Sequence, residues 1–264
     1  MENERKGLLY DILIMLCVYL IACSLPLKWI FESETTVNIV KVILKYFAFG
    51  FIVFEIKSKK IMFSSDKKVS IIKYLPFVLI CLGNIAVAFI SGFNYLTNDN
   101  IGGLITLALF DCVATALCEE FLFRYLLLNF IRQTKKTFVS IILSACFFGL
   151  MHLVNISSLS SIPYVLLQCL YTFGLGIILG FVYLDSRKIY LPIILHALFN
   201  FLNDSLVSIL FDFEYNVWFF VINMAITVLA GLYFIFMYMR SDMYVSNTMG
   251  NNWHLYIDAS NWRF

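Results

Sequence analysis

Two adjacent acids and a base, Glu119, Glu120 and Arg124, stand inside an apolar run long enough to cross a bilayer. A charged side chain at bilayer depth costs roughly 2.5–3.5 kcal/mol on insertion scales, so such a group needs a partner, water or a function. Glu120 and Arg124 are spaced i, i+4, which sets one above the other on a helix and lets them neutralise each other. Glu119 is turned about 100° from Glu120. The same arginine serves it less well, and it reads as the available acid. Two later apolar runs repeat the anomaly. One carries Phe148 and His152; the other carries His196 and Asn200 at i, i+4, with Asn203 continuing the polar stripe at i+7.

A carboxylate and an imidazole converging on one point are what water activation requires. One removes a proton from water, the other orients it, and either can return a proton to a leaving amine. Burial raises a carboxyl toward neutrality and improves it as a base. A second histidine and an asparagine amide supply donors for a developing oxyanion. The set describes amide hydrolysis without a covalent intermediate. A serine mechanism has weaker support, because neither Ser144 nor the serines around Ser157 to Ser161 lie in a context that marks a nucleophile. Glu and His are also zinc ligands, so a metal, if used, would take Glu119, His152 and His196, although no H-E-x-x-H spacing is present. Taken singly, each residue also has a packing role to offer: an intramembrane His or Asn joins helices by hydrogen bonds, and Glu120 with Arg124 makes a structural ion pair.

The elements that must position these residues are membrane helices. The 264 residues are 61% hydrophobic and only 14% charged, with a mean hydropathy of +0.87, well above the roughly 45–50% apolar content of ordinary globular chains. The expected fold is an all-α polytopic bundle, a single transmembrane domain over 1–240 with its core at about 101–210. Eight candidate spans meet the ~20-residue criterion: Leu8–Leu27, Ile39–Phe54, Ile71–Ile90, Ile101–Phe130, Phe138–Val154, Ile162–Leu184, Ile189–Leu210 and Val217–Met239. Lys41 and Lys45 interrupt the start of the second and are expected to snorkel to the membrane surface. The first span is too long for a cleaved signal peptide and lacks a small-residue cleavage site.

Basic residues fall in alternate loops: Arg5 and Lys6; Lys57, Lys59, Lys60, Lys67 and Lys68; Arg132, Lys135 and Lys136; Arg187 and Lys188; then Arg240. The intervening loops hold only Lys28 against several acids, so both termini are expected in the cytoplasm. At about 1.5 Å per residue, Glu119 lies roughly 20 Å from the inner end of its helix and His152 roughly 22 Å in. His196 and Asn200 lie roughly 10 and 16 Å past Ile189. Three spans can therefore present all four to one buried pocket, with Asp111 and Thr115 lining its outer part. The seven cysteines show no C-x-x-C spacing and read as small apolar packers. Gly176-x-x-x-Gly180 reads as close helix packing. The polar and aromatic tail 241–264, with Trp253, His254, Tyr256 and Trp262, is expected to rest at the cytoplasmic interface.

In order along the chain, Glu119-Glu120-x-x-x-Arg124, Phe148-x-x-x-His152 and His196-x-x-x-Asn200 resemble the three motifs of the CAAX-protease and bacteriocin-processing (CPBP, or Abi) intramembrane endopeptidases. The resemblance covers about Asp111 to Asp204. It implies that Glu119 and His152 activate the water and that His196 and Asn200 stabilise the oxyanion, with Glu120 and Arg124 in support. It implies a membrane-associated peptide or protein as substrate, of the CaaX or the bacteriocin and leader-peptide kind, in a prokaryotic plasma membrane, and no nucleic acid. It leaves the cofactor open between zinc, as in a metalloprotease, and a metal-free Glu/His mechanism. Two other classes remain: a non-catalytic immunity or scaffold protein that keeps the motifs for packing, and a proton-coupled carrier using Glu119 and Asp111 as relay acids. The inverted repeats that favour a carrier are not seen in the sequence.

Overall fold

The computed structural model describes residues 2–59, 61, 71–83, 85–86, 100–211 and 217–239, and among them the chain is helical, with no β-sheet. The helices are α1 (Glu2–Ser24), α2 (Glu34–Ser58), α3 (Leu75–Cys81), α4 (Ile101–Arg132), α5 (Thr137–Met151), α6 (Ile162–Ser186), α7 (Tyr190–Leu210) and α8 (Val217–Met239). Five of them, α1, α4, α5, α6 and α7, are long and apolar enough to cross a membrane, and α8 holds a shorter apolar stretch, Val221–Met237. Residues 84 and 87–90 of the expected third span, and the tail 241–264, lie outside the described residues.

Local chemistry sets the helix ends. Ser33 caps α2 by accepting the Thr36 N–H at 3.4 Å, the usual work of a serine at that position. Pro163 stands in the first turn of α6, where its missing N–H is not needed. Arg187 ends α6 in the left-handed region at φ 58°. Its N–H returns to the Tyr183 carbonyl at 2.7 Å, while Ser186 Oγ accepts the Lys188 N–H at 3.1 Å. That compact turn brings α7 straight back against the bundle.

Helix α6 is the packing centre. Leu175 to Leu184 are buried without interruption, which fits a helix enclosed on all sides rather than one with a lipid face. Its small residues permit this. A Cβ on Gly176 would meet the Ala145 Cβ of α5 at 2.9 Å, and one on Gly180 would meet Ile141 at 3.2 Å. The Gly-x-x-x-Gly pattern is therefore a helix contact. A second core cluster gathers Met15, Tyr19, Ile52, Cys118, Leu122 and Phe148 from α1, α2, α4 and α5. Outward faces carry large exposed apolar side chains, including Ile14, Phe47, Phe110, Phe147, Leu170 and Leu229. Exposure of that extent marks a surface made for a nonaqueous neighbour, and the chain is an integral membrane protein of several crossings. The seven cysteines are unpaired.

Two helices widen into π turns. In α4 the wide turns run Phe121–Leu128, directly after Glu119 and Glu120; in α7 they run Phe201–Ser205, directly after Asn200. Such turns disturb the i→i−4 ladder and occur frequently at functional sites. Side chains pick up carbonyls along the α4 stretch: Ser144 donates to Phe123 O at 2.7 Å and Asn129 Nδ2 to Tyr125 O at 2.9 Å. Ser144, the one serine within the spans weighed as a nucleophile, is thus a buried strut between α4 and α5.

Candidate active site

Helices α1, α2, α4, α5, α6 and α7 enclose a cavity of about 740 Å³ whose walls include Glu119, His152, His196 and Asn200. The first three spans of interest, α4, α5 and α7, thus bring the acid, both imidazoles and the amide to one space. Each arrives by a local feature. Glu119 and Glu120 close the regular part of α4, immediately before the π turns. His152 follows the last residue of α5, where the helix tightens into a 3₁₀ turn over His152–Asn155. Gly149, one turn earlier, lies so close to α6 that a Cβ there would meet the Cys169 carbonyl oxygen at 2.7 Å. His196 and Asn200 occupy one face of α7, with His196 at 2% exposure.

Glu120 and Arg124 form an ion pair at 3.1 Å with essentially no exposure of either side chain. The guanidinium also lies over the Phe148 ring, 4.2 Å from its centroid, a cation–π contact that is strengthened by desolvation. The motif phenylalanine therefore has a partner of its own. Its ring also meets His152 and His196 edge to face, with centroids 5.5 and 5.7 Å apart.

Glu120 does more than answer Arg124. His196 Nδ1 lies 2.8 Å from Glu120 Oε1. A carboxylate oxygen accepts, so Nδ1 is taken as the N–H that donates to it. The other ring nitrogen, Nε2, lies 3.6 Å from Glu119 Oε2, beyond direct hydrogen-bond length and too close to admit a water between them, so a water that meets both stands beside the pair. Glu119 is free of Arg124, yet it is not without a partner. Tyr19 of α1 donates its hydroxyl to Glu119 Oε1 at 2.6 Å in a buried setting. No local pattern marks this contact, which spans 100 residues and uses a tyrosine within an apolar run. His152 lines the cavity, and its buried Nε2 has no hydrogen-bond partner among the described residues.

Two expectations are corrected. Lys45 does not snorkel to the surface. Its ammonium turns inward to Asp111 Oδ1 at 2.6 Å and Thr115 Oγ1 at 3.0 Å, lining the cavity beside both. An acid and a hydroxyl on α4 give the charge a nearer partner than the headgroups. The polar stripe of α7 also departs from the i+7 reading. Asn203 is buried away from the cavity, and Asp204 lines it instead, because the π turns after Asn200 shift the helical register. Asp111 and Thr115 do line the cavity as expected.

Among the described residues, no three His, Cys, Asp or Glu side chains come together so as to hold a metal ion. As arranged, these side chains do not form a three-ligand metal site.

Fold and site together define a polytopic helical membrane protein with a carboxylate- and imidazole-lined cavity inside its bundle. Residues 101–202 match the model of the Rce1-like family, described as type II CAAX prenyl endopeptidase Rce1-like. The matched stretch contains Glu119, Glu120, Arg124, His152, His196 and Asn200. Comparison of the whole chain with curated proteins gave no match.

Proposed function

We propose that this protein is an intramembrane endopeptidase that hydrolyses a peptide bond near the C-terminal part of a membrane-associated peptide or protein, of the CaaX or the bacteriocin and leader-peptide kind. One observation carries the reading: Glu119, His152, His196 and Asn200 border a single cavity, with Glu119 Oε2 and His196 Nε2 3.6 Å apart on its wall. A water beside that pair gives its proton to Glu119 while His152, whose Nε2 is unclaimed among the described residues, orients it. The water oxygen bonds to the scissile carbonyl carbon, and the carbonyl oxygen becomes an oxyanion.

His196 and Asn200 donate to that oxyanion. As a donor, His196 keeps Nδ1–H on Glu120 and offers Nε2–H to the oxyanion. Collapse of the intermediate breaks the C–N bond. The proton held by Glu119 passes to the leaving nitrogen, giving a carboxylate and an amine. The eight crossings and cytoplasmic termini belong to the same reading, supported by the alternation of basic loops.

The test is cleavage of prenylated CaaX peptides and leader-type peptides by purified protein in lipid nanodiscs, with and without a strong chelator. Wild-type protein is expected to cleave in both conditions. Glu119→Gln and His152→Ala are expected to be folded and inactive. Retained cleavage by Glu119→Gln rejects the mechanism, and variants that lose abundance instead of rate favour a non-catalytic scaffold.

A further inference from the structure

Of the two lysines that α2 places on the cavity wall, Lys41 and Lys45, Lys45 lies one turn further along the helix, and the cleavage steps above make no use of it. Its side chain is 13% exposed, whereas that of its partner Asp111 is 41% exposed. The ammonium has three donors. Asp111 and Thr115 take two of them. The more buried member of the pair is thus the cation, fixed to the wall, with a carboxylate beside it that has access to solvent and can be displaced. A hydroxyl at Thr115 remains to help hold whatever replaces that carboxylate.

Position along α4 adds a length. Thr115 and Asp111 lie one and two turns before Glu119, roughly 6 and 12 Å along the axis. An extended peptide advances about 3.3–3.6 Å per residue. A chain whose scissile carbonyl sits at Glu119 therefore reaches the ammonium with its second to fourth residue beyond the cut.

We propose that Lys45, with Thr115, is the subsite for the free C-terminal carboxylate of the substrate, which takes the place of Asp111 on the ammonium. This rests on the endopeptidase reading and names what that site measures: a terminal negative charge at a set distance from the bond. Lys45 lies outside the stretch that matches the family, so the subsite is carried by this chain's own second helix.

The experiment pairs two substrates with four proteins. A fluorogenic prenylated peptide ending in Cys-aliphatic-aliphatic-X is made as the free acid and as the C-terminal amide. Wild type is expected to favour the acid by roughly 10- to 100-fold in kcat/KM, as fits a hydrogen bond to a charged group. Lys45→Arg is expected to keep that preference. Lys45→Met, and Lys45→Met with Asp111→Asn so that no unpaired acid threatens folding, are expected to lose it. An acid preference that survives in both Met variants overturns the proposal, as does a wild type that treats acid and amide alike.

A binding arm separates this from failure of the hydrolysis reading. Fluorescence anisotropy of the same two peptides with Glu119→Gln protein in nanodiscs is expected to show tighter binding of the acid, and Lys45→Met in that background is expected to abolish the difference. Equal affinity for the two peptides, or binding of neither, also overturns it, whether or not the wild type cleaves.

Discussion

Replacing Glu120 by methionine separates two things that this carboxylate does. Glu120 and Arg124 are 0% and 1% exposed and 3.1 Å apart, so the single substitution strands a guanidinium with only the Phe148 face for company. Removing one partner of a buried pair costs about 3–5 kcal/mol, a large part of the 5–15 kcal/mol by which ordinary folds are stable. Glu120→Met is therefore expected to lower the thermal midpoint in detergent sharply and to reduce membrane abundance. Adding Arg124→Met removes the stranded charge and is expected to recover most of that stability, since apolar replacements of a buried pair are often neutral or better.

Activity is expected not to return. His196 Nδ1 would have lost the acceptor at 2.8 Å that fixes its ring, and loss of one oxyanion donor costs about 10²- to 10³-fold in kcat. The assay is peptide cleavage per folded molecule, with folded protein counted by monodispersity in size-exclusion chromatography. A double variant that cleaves at the wild-type rate would show that Glu120 only neutralises Arg124. A single variant as stable as wild type would refute the buried-charge reasoning itself.

Two further outcomes follow from contacts described above. Tyr19→Phe removes the hydroxyl that donates to Glu119 Oε1 at 2.6 Å; kcat is expected to fall about tenfold, in keeping with a hydrogen bond to a charged acceptor, with KM little changed, and steady-state kinetics on one peptide checks it. Gly176→Leu drives a side chain into Ala145, whose Cβ is 2.9 Å from where a Cβ would stand. Overpacking of this kind costs about 1–3 kcal/mol, and a lowered thermal midpoint is expected, whereas Gly231→Ala, with open space around it, is expected to leave the midpoint level or raise it.

The parts of the site carried by short spacings were legible in the sequence. Glu120 with Arg124, and His196 with Asn200, follow from the helical repeat alone, and apolar run lengths anticipate the helices that carry them. What escaped depends on tertiary partners or on departures from the regular helix. Tyr19 meets Glu119 across two helices, and a tyrosine among leucines carries no mark of that. Lys45 sits in a segment where hydropathy registers only a charge, so nothing local tells inward from outward; Asp111 decides it. Asn203 was placed by a period of 3.6 that the π turns of α7 do not keep. The bond from His196 to Glu120 was within reach, because an acid already paired with arginine can also orient an imidazole, yet sequence order alone does not say which histidine arrives.

Tyr19 and Lys45 have a consequence for how far this molecule can be reduced. A fragment begun at the fourth helix would keep every motif residue and still lack the phenol on Glu119 and the ammonium on the cavity wall. The two leading helices are therefore components of the cavity itself rather than a membrane anchor attached to it. A graft of the motif-bearing helices onto another scaffold would have to supply both groups anew.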